Sequence, residues 1–391
     1  MDQRGWLSAD EFEDGIATTG LLPGPASTQL AIYCAWRLAG PAGALVGGAC
    51  FIVPGLIVIL ALSALFLAAH PPAWVTGAAA GAGSAVPAVA AVAAARLAPA
   101  SWRRAAAAPP GQSVPAPPGS GSARSGSARS SSARSGSARF ASRPGWPVAR
   151  WAAYLLAGGA VAALAGPFLV LVLLACGLVE LAIRTAGTGR NPGAGSGVGR
   201  SAVCWPLAAA AVPAAGGLLA VAWVAFKVGA LSYGGGFVII PLMQHDAVHA
   251  YHWMTGAQFL SAVALGQVTP GPVVQTVAVV GYAAAGVGGG LLASLVAFAP
   301  SFAFVLAGAP RFAAIRRSTR VQAFLTGAGP AAIGAIAGST VPLALELAHL
   351  WQFAVLGLAA IWLLALRRNV VAAIAGAAAL GVVAVLAGAP G

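Results

Sequence analysis

Two stretches of this chain carry the same punctuation inside apolar surroundings: residues 20–29, GLLPGPASTQ, and residues 266–276, GQVTPGPVVQT. In the first, Pro23 and Pro25 flank Gly24; in the second, Pro270 and Pro272 flank Gly271. Proline removes a backbone donor and blocks the preceding helical turn, and glycine permits a sharp reversal, so each triplet breaks a helix. The half-helix that restarts after the second proline exposes free N–H groups in its first turn, and the positive end of its dipole attracts negative charge. Ser27, Thr28 and Gln29 in the first stretch, with Gln267, Thr269, Gln275 and Thr276 in the second, add hydrogen-bonding groups without fixed charge. Convergent donors of this kind suit a tetrahedral oxyanion. The alternative is that each triplet only kinks packed helices. A single copy leaves those readings even; two copies, each flanked by polar side chains, favour a binding site.

Lys227 is the only lysine in the chain, against twenty arginines, and it lies in an apolar segment six residues before Tyr233. An ionisable group there is costly to bury and points to function, here as counter-charge to the anion; the competing explanation is snorkelling to the interface. Gly234, Gly235 and Gly236 would let backbone approach the solute, unless they serve close helix packing. His245, His249 and His252, with Asp246, share one face if the helix continues, a spacing open to a metal site or a proton relay. Wet interfacial residues are the commoner explanation, and no metal is expected. Glu180 and Glu346 lie near span ends, where solvation accounts for them. The four cysteines form no C-x-x-C and read as small packing residues. The spans hold no paired carboxylates, no H-E-x-x-H and no G-x-S-x-G, so no catalytic residue, cofactor or enzymatic activity is expected.

Such residues need elements to position them. Of 391 residues, 59% are hydrophobic and 7% charged, far below the quarter charged that a soluble domain carries; the mean hydropathy is +0.86. The expected fold is an all-α integral membrane protein. Spans of the roughly 20 apolar residues that a bilayer requires are predicted over residues 43–69, 74–97, 206–231, 287–309, 321–347, 351–366 and 370–387. Residues 98–150 break the pattern: Arg124, Arg129, Arg134 and Arg139 recur every five residues among Ser, Gly and Ala. This tract reads as a disordered cytoplasmic linker. The net charge of +13 resides in such connections, so no nucleic-acid partner is expected.

The two halves correspond. WLSADEF (6–12) matches WMTGAQF (253–259), and the Pro-Gly-Pro triplets share that offset of 247; beyond them Gln29 pairs with Gln275, Gly40 with Gly286 and Pro54 with Pro300, at 246. Arginine placement puts the turn at 37–41 inside and its counterpart at 283–287 outside. Matching elements on opposite faces predict an inverted repeat, a transporter architecture. The expected organisation is a first repeat over 1–97, lacking an N-terminal helix that the second repeat has; the linker, 98–150; a short hairpin and polar loop, 151–204, completing the first half; and the second repeat, 205–391. Residues 253–285 are expected to enter the membrane and return, with Thr269 to Pro272 at the tip.

LLPGPASTQLAIY (21–33), FKVGALSYGGGFVIIPL (226–242), GQVTPGPVVQT (266–276), FAPSF (298–302) and VQAFLTGAGPAAIGAI (321–336) resemble the chromate ion transporter family, in its two-domain form. The resemblance implies export of chromate across the bacterial inner membrane, driven by the membrane potential or proton gradient, with sulfate as competitor. Family members begin with a helix ending in an FGGP-like motif, so the resemblance also implies that the first helix is missing here. Expected partners are a small inorganic oxyanion, the lipid bilayer and, as a possible assembly, a homodimer. Alternatives are a permease or channel for another small anion such as sulfate, and a non-transporting truncated copy.

Overall fold

The computed structural model describes residues 12, 15, 16, 19, 24–106, 146–164, 168–186, 217–232, 236–308 and 318–390. All regular structure among the described residues is helical: α1 (Ala26–Phe66), α2 (Ala73–Ser84), α3 (Val86–Ala106), α4 (Trp146–Leu164), α5 (Leu169–Ala186), α6 (Leu218–Leu231), α7 (Ile240–Gln244), α8 (Gly256–Val268), α9 (Thr276–Gly308), α10 (Thr319–Leu345), α11 (Leu350–Ala360) and α12 (Val370–Leu386). A 3₁₀ turn, Phe237–Ile239, precedes α7, and a π-helical turn, His245–Ala250, follows it. Helix covers most of each predicted span, with residues 206–216 and 309 outside the described residues, while α4, α5 and α8 fall in the two expected hairpins. Four described helical stretches, Ala26–Phe66, Ala73–Arg103, Val273–Gly308 and Thr319–Leu345, are long and apolar enough to cross a bilayer. Helix occupies both ends of the segment read as a linker, since α3 runs through Pro99 to Ala106 and α4 begins at Trp146. The serine-arginine tract itself lies outside the described residues.

α1 and α9 are each two limbs joined by a reversal. Ala39 (φ −142°, ψ 26°) and Gly40 (φ 61°, ψ −151°) interrupt α1, and Ala285 (φ −152°, ψ 31°) with Gly286 (φ 63°, ψ −154°) interrupts α9. A positive φ at this point suits glycine, which has no Cβ to clash. The reversals fold the limbs together: Gly43 and Gly47 lie on Ala35, and Gly289 lies on Gly281. The long limbs, 41–66 and 287–308, measure roughly 39 and 33 Å as helix, enough for the ~30 Å hydrocarbon core. The short limbs, 26–38 and 276–284, reach only about 20 and 14 Å, so their starts lie partway along the long limbs they fold against.

The two long limbs pack antiparallel: Phe302 covers Gly48, Leu60 covers Gly290, and Ala44 shares a buried cluster with Val305. Small residues bring the remaining helices together, as expected where lipid removes any hydrophobic drive and packing must do the work. Gly77 and Gly81 of α2 meet Gly381 and Ala377 of α12; Gly158 and Gly159 of α4 meet Ala331, Gly334 and Gly338 of α10; Gly327 of α10 meets Cys176 of α5. Exposed Leu295, Leu345, Leu350, Leu358 and Leu386 form an apolar exterior that only lipid would solvate.

Candidate functional site

The second triplet is the tip of a hairpin. A capping box fixes the start of α8, with Gln258 N–H donating to Thr255 Oγ1 at 3.2 Å and Thr255 N–H to Gln258 Oε1 at 2.9 Å. The helix ends at Val268; the Thr269 hydroxyl donates back to the Leu265 carbonyl. Gly271 takes φ +127°, Pro272 is extended, and a 3₁₀ turn, Val273–Gln275, leads into α9. The returning limb lies along α8: Gly266 packs on Thr276 Oγ1, and Ala262, Ala278 and Val279 share a buried cluster with Ile59. The chain therefore turns back on itself at the Pro-Gly-Pro, the reversal expected from the sequence.

The first triplet has the same geometry. Gly24 takes φ +125°, Pro25 is extended, and α1 starts at Ala26 with no side-chain cap. Before the tip, Gly15 lies against Leu30 and Tyr33 of the returning limb. Neither restarting helix has a side chain closing its first turn, which leaves the N–H groups there for another partner.

The tips cross onto each other's long limbs. Gly271 faces the Phe51 carbonyl and Gly55, and Pro270 O abuts Gly55; Gly24 faces Ser301 Oγ. Gly55 and Ser301 are equivalent at the offset of 246, so the contact is reciprocal. Gln275 Nε2 donates to the Ile52 carbonyl at 3.5 Å. A third piece joins the tips: Gly24 N–H donates to the Ser232 carbonyl at 2.5 Å, and Gly236 (φ +92°) packs against Val274.

Around this crossing, five buried polar atoms have no hydrogen-bond partner: Thr28 Oγ1, Ser232 Oγ, Gln267 Nε2, Gln275 Oε1 and Ser301 Oγ. A buried polar group left unmade costs about 1–3 kcal/mol, and native proteins leave few, so such a group of atoms calls for partners from outside the chain, a solute or ordered water. Three hydroxyls and an amide nitrogen among them can donate, and two helix starts add positive dipole ends. The Gln275 oxygen can accept, which suits a hydroxyl on a protonated oxyanion. Ser27, Pro270 and Gly271 are exposed, and Thr269, Pro272 and Thr276 are buried beside them. The arrangement can hold a small anion without fixed countercharge.

Of the predicted site residues, Gly24, Pro25, Ser27, Thr28 and Gln29 lie at the first tip and Gln267, Thr269, Pro270, Gly271, Pro272, Gln275 and Thr276 at the second, with Gly236 packed against Val274. Pro23, Gly234 and Gly235 lie outside the described residues. Lys227 does not face solvent at an interface; it is 2% exposed and its Nζ lies 2.5 Å from Asp246 Oδ2, so its charge is already partnered. Asp246 is likewise buried, not a wet surface group. Glu180 also departs from expectation: it is buried, accepting from Arg184 Nε at 2.7 Å and Tyr154 OH at 3.2 Å, with Arg150 at 3.3 Å. Ser232 and Ser301 were not anticipated as site residues, although Ser301 follows the proline that pairs the two halves and Ser232 opens the glycine run. Among the described residues no three His, Cys, Asp or Glu side chains group to hold a metal.

Comparison with known proteins gives the geometry its context. A chromate transporter family model matches residues 1–181 and 219–382. A chromate transport protein of Cupriavidus metallidurans is 28% identical over 353 residues, covering 88% of this chain and 75% of that protein. A probable chromate transport protein of Synechococcus elongatus is 26% identical over 352 residues, 89% and 78% of the two chains, and a chromate transport protein of Pseudomonas aeruginosa is 27% identical over 351, 88% and 74%. No solved structure matches the chain.

Proposed function

The chain belongs to the chromate transporter family, and from that premise we propose that it carries chromate, or a related tetrahedral oxyanion, outward through the membrane by alternating access around the two Pro-Gly-Pro tips. Family membership supports a membrane transporter over an enzyme. The observation that carries the substrate reading is the group of unpartnered buried polar atoms beside two uncapped helix starts, one touched by Ser232 and the other by Gly236. A dianion there would accept from Thr28, Ser232, Gln267, Ser301 and the free N–H groups. Uncharged donors hold an anion firmly enough to select it, and weakly enough to release it on the far side.

Alternating access needs two halves that exchange roles, and the inverted repeat supplies them. Three observations support inversion. Backbone angles repeat at matching positions: Gly24 with Gly271, Ala39 with Ala285, Gly40 with Gly286. The equivalent long limbs run antiparallel, and the tips seat reciprocally on Gly55 and Ser301. The cytoplasmic side is then the one carrying the arginine-rich tract between α3 and α4, and a homodimer is compatible with the apolar exterior.

Purified protein in proteoliposomes should take up or release radiolabelled chromate with saturable kinetics, with sulfate competing and an imposed membrane potential setting the direction. Flux without saturation would indicate a channel, and no flux above empty liposomes would overturn the reading.

A further inference from the structure

The crossing leaves Lys227 and Asp246 unused. On the reading that this chain transports an oxyanion, we propose that the pair is a proton-binding site: a proton reaching Asp246 by way of the neighbouring histidines neutralises the carboxylate and leaves the Lys227 ammonium as the charge that draws the anion to the tips.

Three observations carry this. The first is burial. Both side chains are 2% exposed, and Lys227 is among the largest fully buried side chains described. Val224, Ala225 and Val228 flank it on α6, and Met243 and Ala247 flank Asp246, all buried. In such surroundings an ion pair adds little net stability over an apolar pair of the same volume, so stability does not account for it.

The second is position. Lys227 lies on α6, whose C-cap Ser232 accepts from Gly24 N–H. The rise from Lys227 to Ser232 is roughly 7.5 Å. Asp246 lies on the π turn reached from Gly236, which packs on Val274. The pair therefore joins the two stems of the loop that touches both tips. A change of charge at the pair acts on both half-helix starts together.

The third is a route. His249 and His252 are exposed, His245 is half-buried with its ring centroid 6.0 Å from that of His249, and Asp246 follows it in the chain. The imidazoles of His249 and His245 thus stand between solvent and the buried carboxylate. Lys227 and His245 face Asp246, with Tyr251 further off; Glu346, the C-cap of α10, accepts from Gln244 Nε2 at the end of α7 at 3.0 Å.

The charge balance is simple. With Asp246 ionised the pair is neutral. A proton bound to an Asp246 oxygen gives a neutral acid beside an intact ammonium, a site of net charge +1. Proton and anion then favour each other's binding by the same factor.

Equilibrium binding of radiolabelled sulfate to the purified full chain tests this, because sulfate stays a dianion from mildly acid to mildly alkaline pH whereas chromate itself protonates. The wild-type affinity should rise about tenfold as the pH falls, a typical coupling. Lys227→Met with Asp246→Leu removes both charges, leaves no buried ion to unfold the protein, and should bind weakly with no pH response. Asp246→Asn should hold the acid-type affinity at every pH. A double variant that keeps the wild-type pH response would overturn the inference, as would saturable wild-type binding indifferent to pH. Absence of saturable binding at every pH would overturn the transport reading as well.

Discussion

Among single residues, the proposed site rests on side chains that the fold leaves unsatisfied. Thr28, Ser232 and Ser301 are wholly buried, yet their hydroxyls bond to nothing in the protein. Buried serines elsewhere, such as Ser63 and Ser84, donate to a carbonyl one turn back at 2.7 Å. The difference yields a prediction with opposite signs for stability and function. Thr28→Val with Ser301→Ala removes two unsatisfied groups at nearly constant volume, so the folding stability should hold or rise, by up to about 1 kcal/mol per site, and the melting temperature with it. A drop in melting temperature would mean that these hydroxyls support the fold and not a solute. The amides around the triplets were legible in the sequence because proline punctuation drew attention to them. Ser232 and Ser301 were not, because a hydroxyl in an apolar helix ordinarily bonds its own backbone and sequence does not reveal when it fails to. Asp246 was misread for a related reason: three histidines beside it suggested water, while its partner Lys227 lies nineteen residues away.

Among elements, glycines divide into those that seat the tips and those that only pack helices. A methyl group at Gly55 would run into the Pro270 carbonyl, and one at Gly334 would run into the Leu155 carbonyl. Both substitutions overpack a tight contact, which costs about 1–3 kcal/mol. Their functional outcomes should differ: Gly55→Ala displaces the second tip and should reduce flux per folded molecule at least tenfold, whereas Gly334→Ala should lower thermal stability and leave flux per folded molecule unchanged. Equal flux losses would remove the distinction. Helix positions were readable from composition and the reversals from Gly40 and Gly286, since length and charge required a turn there. The crosswise seating of Gly24 on Ser301 and Gly271 on Gly55 was not, because contacts between the two halves leave no local pattern.

For the whole molecule, the account depends on two half-helices that approach one crossing from opposite faces. Cysteines at Leu38 and Val287, both exposed beside the two reversals, test this in a background lacking the native cysteines. A membrane-impermeant maleimide should label one from outside and the other only after permeabilisation; labelling of both from the same side would rule out inversion. The most direct measurement of the central claim is chromate flux by Thr28→Val with Ser301→Ala in the proteoliposome assay. With folded protein matched to wild type, flux should fall at least tenfold, since two donors to the anion are gone while both tips remain. Wild-type flux from that variant would contradict the account.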